Sequence, residues 1–196
     1  DNTIIIFASD NGSQFERTGV HLNDANPSNN LVHVDGKKNS SEEHHPNGNL
    51  KGSKWTIWEG GVRMPFIVKW AKKIPSGVKS DKIFALNDVM ATLGSIVNYD
   101  LPNNVAIDSY DQSLNFMGEE KNIRNSVVVQ SSNGQMGLRK GDWKFIQPRN
   151  NELQGQLYNL AKDESETNNV INEHHELGEE MHKELLVIIS NTFAKN

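Results

Sequence analysis

A short, continuous apolar run opens the chain, Thr3-Ile4-Ile5-Ile6-Phe7-Ala8, and it ends on Ser9-Asp10-Asn11-Gly12. β-branched residues without polar alternation predict a strand buried on both faces, the kind found in parallel α/β sheets. Too few similar strands follow to complete such a sheet, so its partners are expected upstream of Asp1. From Ser13 to Asn49 the chain is polar and shows neither a period of 2 nor one of 3.6. This predicts a long loop, and its place directly after a strand end predicts that it serves function. Phe66-Ile67-Val68-Lys69-Trp70 resumes a strand, with Pro65 at its entrance, where a missing N–H does least harm. Leu86, Met90, Leu93 and Val97 recur at spacings of four, three and four, which predicts a helix capped by Asn87 or Asp88 and packed on the sheet.

Beyond the turn-rich stretch from Asp100 to Asp111 the pattern changes. Ser126–Gln130, Met136–Arg139 and Trp143–Gln147 are short strands separated by Asn133-Gly134 and Lys140-Gly141, which predicts an antiparallel meander. Gln156–Leu160 adds a fourth strand. Leu177, Met181, Leu185 and Ile188 then mark one face of a closing amphipathic helix. The expected fold class is therefore α/β. Residues 1–104 form the C-terminal part of a mainly parallel sheet domain, and residues 105–196 form a small α+β subdomain, a four-stranded antiparallel sheet plus a helix.

Composition narrows the function classes. A chain of 196 residues with 35% hydrophobic content can build a core. No apolar run approaches the roughly eighteen residues of a membrane span. The formal charge of −5 argues against a nucleic-acid partner. Cysteine is absent, which excludes disulfides and thiolate metal sites.

Asp10 and Asn11 place a carboxylate and an amide oxygen at the carboxyl end of the first strand, where α/β enzymes bind ligands, and two hard oxygen donors suit Ca²⁺ or Mg²⁺ better than zinc. Asp-Asn-Gly is also a common turn tripeptide, so the residues alone leave both readings open. Lys51 and Lys54 lie in a polar segment where ammonium groups can hold an anion. His44 and His45 of the long loop join Lys51 as candidates for a pocket wall. Glu59 and Arg63 are expected to pair and so to position the segment between Leu50 and Pro65.

Several segments carry a resemblance. Asp1 to Gly12 resembles the last catalytic strand of the formylglycine-dependent, calcium-dependent sulfatases of the alkaline phosphatase superfamily. Leu50-Lys51-Gly52-Ser53-Lys54-Trp55-Thr56-Ile57-Trp58-Glu59-Gly60-Gly61-Val62-Arg63-Met64-Pro65 is similar to that family's second long signature. Gly141-Asp142-Trp143-Lys144-Phe145-Ile146 and Leu157-Tyr158-Asn159-Leu160 resemble its C-terminal subdomain. The resemblance implies a sulfuric ester hydrolase in which Asp10 and Asn11 are ligands of the active-site calcium and Lys54 binds the sulfate group. It also implies a sulfated small-molecule or carbohydrate substrate, with sulfated polysaccharide fragments preferred, and a periplasmic or secreted location, or a lysosomal one in a eukaryote.

The same resemblance implies parts that these residues do not supply. The family's nucleophile is a formylglycine made from Cys or Ser in a Cys/Ser-x-Pro-x-Arg setting, and the chain holds no such motif. The nucleophile and the family's other calcium-binding aspartates are therefore expected in a missing N-terminal half, with this chain inactive alone. Two alternatives stand beside a sulfatase: a phosphonate or phosphate ester hydrolase of the same superfamily, and a non-catalytic binding module. Asn11, where zinc-using relatives commonly place His, favours the calcium enzyme.

Overall fold

The computed structural model describes residues 2–13, 46–149 and 154–193. In chain order the elements are β1 (Ile4–Ala8), α1 (Glu59–Val62), β2 (Phe66–Trp70), α2 (Asp88–Ile96), α3 (Ser113–Phe116), β3 (Ser126–Gln130), β4 (Met136–Lys140), β5 (Trp143–Ile146), β6 (Gln156–Asn159) and α4 (His175–Phe193). They fall into two compact units, one of Asp1–Asp10 with Pro65–Val127 and one of Asn11–Met64 with Val128–Asn196.

In the first unit the apolar run forms β1 as predicted. Its partner among the described residues is β2, and the two run antiparallel, from Ile4 opposite Trp70 to Ala8 opposite Phe66. Parallel neighbours for β1 do not occur among the described residues. Ile5, Phe7 and Ile67 share one face of this ribbon and are 57%, 63% and 59% exposed. Both faces are apolar, yet two strands can cover neither one fully, so the expected two-sided burial is not met among the described residues. Phe66, Phe84 and Phe116 form a tilted aromatic cluster, with ring centroids 4.2 to 5.8 Å apart.

Helix α2 forms where the periodicity predicts it but presents the opposite side to the interior. Met90 and Val97 are exposed, while Asp88 and Thr92 are fully buried. The buried face is polar because Asp88 is the hub of a hydrogen-bond network. Its carboxylate takes two guanidinium bonds from Arg124, at 3.0 and 2.7 Å, and further bonds from the backbone N–H groups of Ala85 and Tyr110. Gln112 Nε2 donates to Asp88, and Gln112 N donates to the Thr92 hydroxyl. A buried carboxylate held this way outweighs the apolar stripe, since leaving it unpaired costs more than exposing one methionine and one valine.

The meander has the order β3-β4-β5-β6, with β4–β5 and β5–β6 paired antiparallel, and from Val128 onward it belongs to the second unit. Lys140 pairs with Trp143 across the β4–β5 turn, which is therefore the two-residue Gly141-Asp142 loop, with Gly141 at φ +55°. Helix α4 lays the predicted face on this sheet. Met181 and Leu185 are fully buried against Leu138, Phe145, Leu157 and Ile171, with Leu177 and Ile188 at the margin. A second cluster joins Ile57 and Trp58 to Ile146, Tyr158 and Leu160. That cluster anchors the segment carrying Lys54 to the meander.

Candidate functional site

The segment from Lys51 to Gly60 is a closed loop. Gly60 N donates to Lys51 O at 2.7 Å and so ties its two ends together. Inside it, the Thr56 hydroxyl donates to Ser53 O at 2.7 Å and accepts from Ser53 N at 3.1 Å, making a tight turn that presents Lys54 and Trp55. Asn47 braces the loop from outside, accepting from Ser13 N and donating to Ser13 O and Gly52 O. Lys54 N donates to Ser13 O at 2.8 Å and Gly12 N to Gly61 O at 2.9 Å, so the Asn11-Gly12-Ser13 segment runs against this loop. The approach is so close that a Cβ at Gly12 would overlap the Gly60 carbonyl, and one at Gly60 would overlap the Gly52 carbonyl.

Lys54 is half-buried, and among the described residues its ammonium makes no hydrogen bond or ion pair. Its one contact of note is the Trp55 ring, 5.6 Å away. Trp55 has φ +76°, a left-handed conformation that is a true outlier for so bulky a residue. Its carbonyl accepts from Ser132 N at 3.0 Å, which helps to hold that conformation. Strained backbone of this kind persists where the surroundings over-determine it, as they do at binding sites.

Lys51 is placed differently. Its ammonium lies 4.5 Å from the Trp58 ring centroid and 5.5 Å from that of Tyr158, and it donates to Glu166 O at 3.4 Å. His44 and His45 lie outside the described residues. Asp10 ends the first unit as an exposed residue, and Asn11 begins the second as a half-buried one. Residues 9–65 separate β1 from β2, so Asp10-Asn11-Gly12 is not the tip of a two-residue hairpin. A carboxylate and an amide oxygen on adjacent residues fit a hard divalent cation. Among the described residues, however, they gather with no third ionisable ligand.

The expected Glu59–Arg63 pair does not form. Arg63 reaches Glu164 at 3.5 Å on the surface, while Glu59 turns inward and is 3% exposed. Lys144, fully buried on β5, places its ammonium 2.9 Å from Glu59 Oε1 and 3.0 Å from Glu166 Oε1. The first contact is a hydrogen bond; the second is an attraction outside hydrogen-bond geometry. Glu166 Oε2 also accepts from Glu59 N at 2.6 Å, and Arg139 stands 3.4 Å from the far oxygen of Glu59. In the sequence Lys144 is one lysine in an alternating strand. Only its position in a strand whose neighbours Phe145 and Ile146 are buried hints that its charge is buried too.

Burial pushes the Glu166 carboxyl above the ordinary carboxylate range; the Lys144 charge and the Glu59 N–H pull it back, and the Glu59 charge adds to the rise. A carboxyl whose folded value is raised binds its proton more tightly folded than unfolded. Its contribution to stability is full below the unfolded value and is lost as pH rises through the folded one. Glu166→Gln abolishes that titration. The melting temperature of the wild type relative to Glu166→Gln is therefore expected to fall as pH is raised upward from the ordinary carboxylate value. A pH-independent difference between the two would show that Glu166 does not titrate in this way.

These geometries sit inside two family profiles. The profile described as Sulfatase matches residues 1–99, and that of the N-sulphoglucosamine sulphohydrolase C-terminal region matches residues 53–191. The chain belongs to the sulfatase family. The Bacteroides thetaiotaomicron N-acetylgalactosamine-6-O-sulfatase is 32% identical over 92% of this chain, which covers 35% of that relative. Human arylsulfatase A is 33% identical over 50% of the chain, or 20% of its own length. Among solved structures, a Bacteroides thetaiotaomicron 6S-sulf protein from a glycosaminoglycan-metabolism locus superimposes with a TM-score of 0.80 at 30% identity, covering 96% of this chain and 39% of that one. The chain thus spans about a third of the length of these two Bacteroides proteins. No helix among the described residues of this sulfatase chain is long and apolar enough to cross a membrane.

Proposed function

We propose that the full-length protein hydrolyses sulfate esters of sugars and that this chain supplies the sulfate-binding lysine and part of a calcium site. The observation that carries this is Lys54. It is a half-buried ammonium, without an ion-pair partner among the described residues, raised on a hydrogen-bonded turn inside the stretch matched by both profiles. The likeness to an N-acetylgalactosamine-6-O-sulfatase supports a sulfated sugar as the substrate class. Residues 1–104 belong, on this reading, to the catalytic domain and 105–196 to its C-terminal subdomain, in a protein that is periplasmic or secreted, or lysosomal in a eukaryote.

The Lys54 ammonium is a compact charge that can meet a tetrahedral anion from several directions, so it orients the sulfate group. As the ester bond breaks, negative charge grows on the oxygens it touches, and the charge-assisted contact strengthens. The closed loop fixes the backbone from which the Lys54 side chain extends, which limits the reorganisation needed when that charge develops. Asp10 and Asn11 would hold calcium, which supplies charge neutralisation at the sulfate oxygens when bound. The nucleophile, a formylglycine, would lie in the part of the protein preceding this chain. Comparing turnover of an aryl sulfate and an aryl phosphate by the full-length protein tests the reading. Preference for the phosphate would sink it in favour of a phosphoester hydrolase.

The 196-residue chain by itself is expected to show no sulfatase activity and a calcium dissociation constant of about a millimolar or weaker. Two adjacent oxygen donors leave most of a shell of about six to eight oxygens to water. Calorimetry with the isolated chain checks the affinity, and micromolar binding would place a complete calcium site within these residues.

A further inference from the structure

We propose that Glu166 is a positioning residue: with Lys144 and Glu59 it forms a buried lock that holds both ends of the Lys54 loop in the geometry needed to grip sulfate. This inference rests on the sulfatase reading of Lys54. Glu166 reaches the loop twice. Its side chain accepts from Glu59 N at 2.6 Å at the loop's far end, and its backbone carbonyl accepts from the Lys51 ammonium at 3.4 Å at the near end. Those ends are themselves joined by the Gly60 N to Lys51 O bond. Lys144 fills the space between the two carboxylates and keeps both ionised groups compatible with burial.

Two features argue that the arrangement is more than ordinary packing. Glu166 is fully buried yet sits at φ +52°, a left-handed conformation that glycine or asparagine adopts at less cost. A glutamate there bears backbone strain and desolvation together, and what its side chain contributes in return is its contact with Glu59 N and Lys144. The charges it gathers also converge on the first residue of α1, only five positions from Lys54 in a turn already closed by Thr56. A shift of Glu59 N therefore passes to Lys54 through a short, hydrogen-bonded path.

The test uses the full-length protein with 4-nitrophenyl sulfate as substrate and inorganic sulfate as competing ligand. Glu166→Ala removes both side-chain contacts while leaving Lys144 paired with Glu59. KM and the inhibition constant of sulfate are expected to rise about tenfold or more, because displacing a binding group by even an ångström has effects of that size. Glu166→Gln keeps an acceptor for Glu59 N and is expected to recover most of the loss. Arg124→Met breaks a buried pair in the other unit, so it lowers the melting temperature without moving either constant. If Glu166→Ala does not fold, Glu166→Asp, which keeps the charge but shortens the reach, is read in the same way. Unchanged KM and sulfate inhibition in the folded Glu166 variant, well below its melting temperature, overturn the lock. Equal shifts in Arg124→Met would do the same, since they would trace the effect to stability alone. Failure of the underlying reading looks different: Lys54→Met would then bind sulfate as the wild type does, whatever Glu166 does.

Discussion

Lys54→Met in the full-length protein is expected to lower kcat/KM for an aryl sulfate by about 10²-fold or more, the usual consequence of deleting one charged stabiliser of a developing anion. Methionine keeps the length and apolar stem of lysine, so the turn built by Ser53 and Thr56 has no reason to move. Lys51→Met is the informative comparison. The Lys51 ammonium is held against Trp58 and Tyr158 and bonded to a backbone carbonyl, so its loss is expected to weaken folding more than turnover. Steady-state kinetics on the two variants separate them. Equal losses in kcat/KM, or none at Lys54, would show that the sulfate is bound elsewhere.

The second large effect concerns stability. Lys144→Met leaves the carboxylates of Glu59 and Glu166 buried and facing one another, with only the partly exposed Arg139 nearby. Removing one partner from a buried charge cluster in this way costs about 3–5 kcal/mol, because the desolvation penalty remains and its compensation is gone. The triple replacement Glu59→Gln, Lys144→Met, Glu166→Gln removes all three charges and is expected to cost much less, since no ion is then stranded. Urea unfolding reports both through a shift in midpoint at constant slope. A Lys144→Met protein within about 1 kcal/mol of wild type would mean that the carboxylates are solvated or protonated, and that the lock carries little energy.

Local pattern told most about the meander and the closing helix. There strand alternation, turn residues and the spacing of Leu177, Met181, Leu185 and Ile188 all agree with packing on a single sheet face. The pattern was least informative where long-range charge decides. Helix α2 has a sound apolar period at Leu86, Met90, Leu93 and Val97, yet Arg124 and Gln112, dozens of positions away, fix Asp88 inward and leave Leu86, Met90 and Val97 exposed. For Glu59 the sequence suggests the wrong partner. Arg63 is near in sequence, whereas Lys144 and Glu166 are near only in space. The strand at Ile4–Ala8 was legible as a strand and its apolar character on both faces as well; its antiparallel partner was not, since strand direction follows from connection and neighbours rather than from composition.

The distance along the chain between the members of the lock has a consequence for synthesis. Glu59 and Glu166 are 107 residues apart, so the loop bearing Lys54 emerges from the ribosome well before the glutamate that braces it. At about 5–20 residues per second the wait is roughly five to twenty seconds, during which Glu59 has neither its counter-ion nor its acceptor. A message truncated between Pro65 and Glu166 therefore yields a chain with every signature residue from Leu50 to Pro65 and the local bonds of Asn47, Thr56 and Gly60, but without the Glu166 contact. The contact between Glu59 and Glu166 can therefore form only late in synthesis.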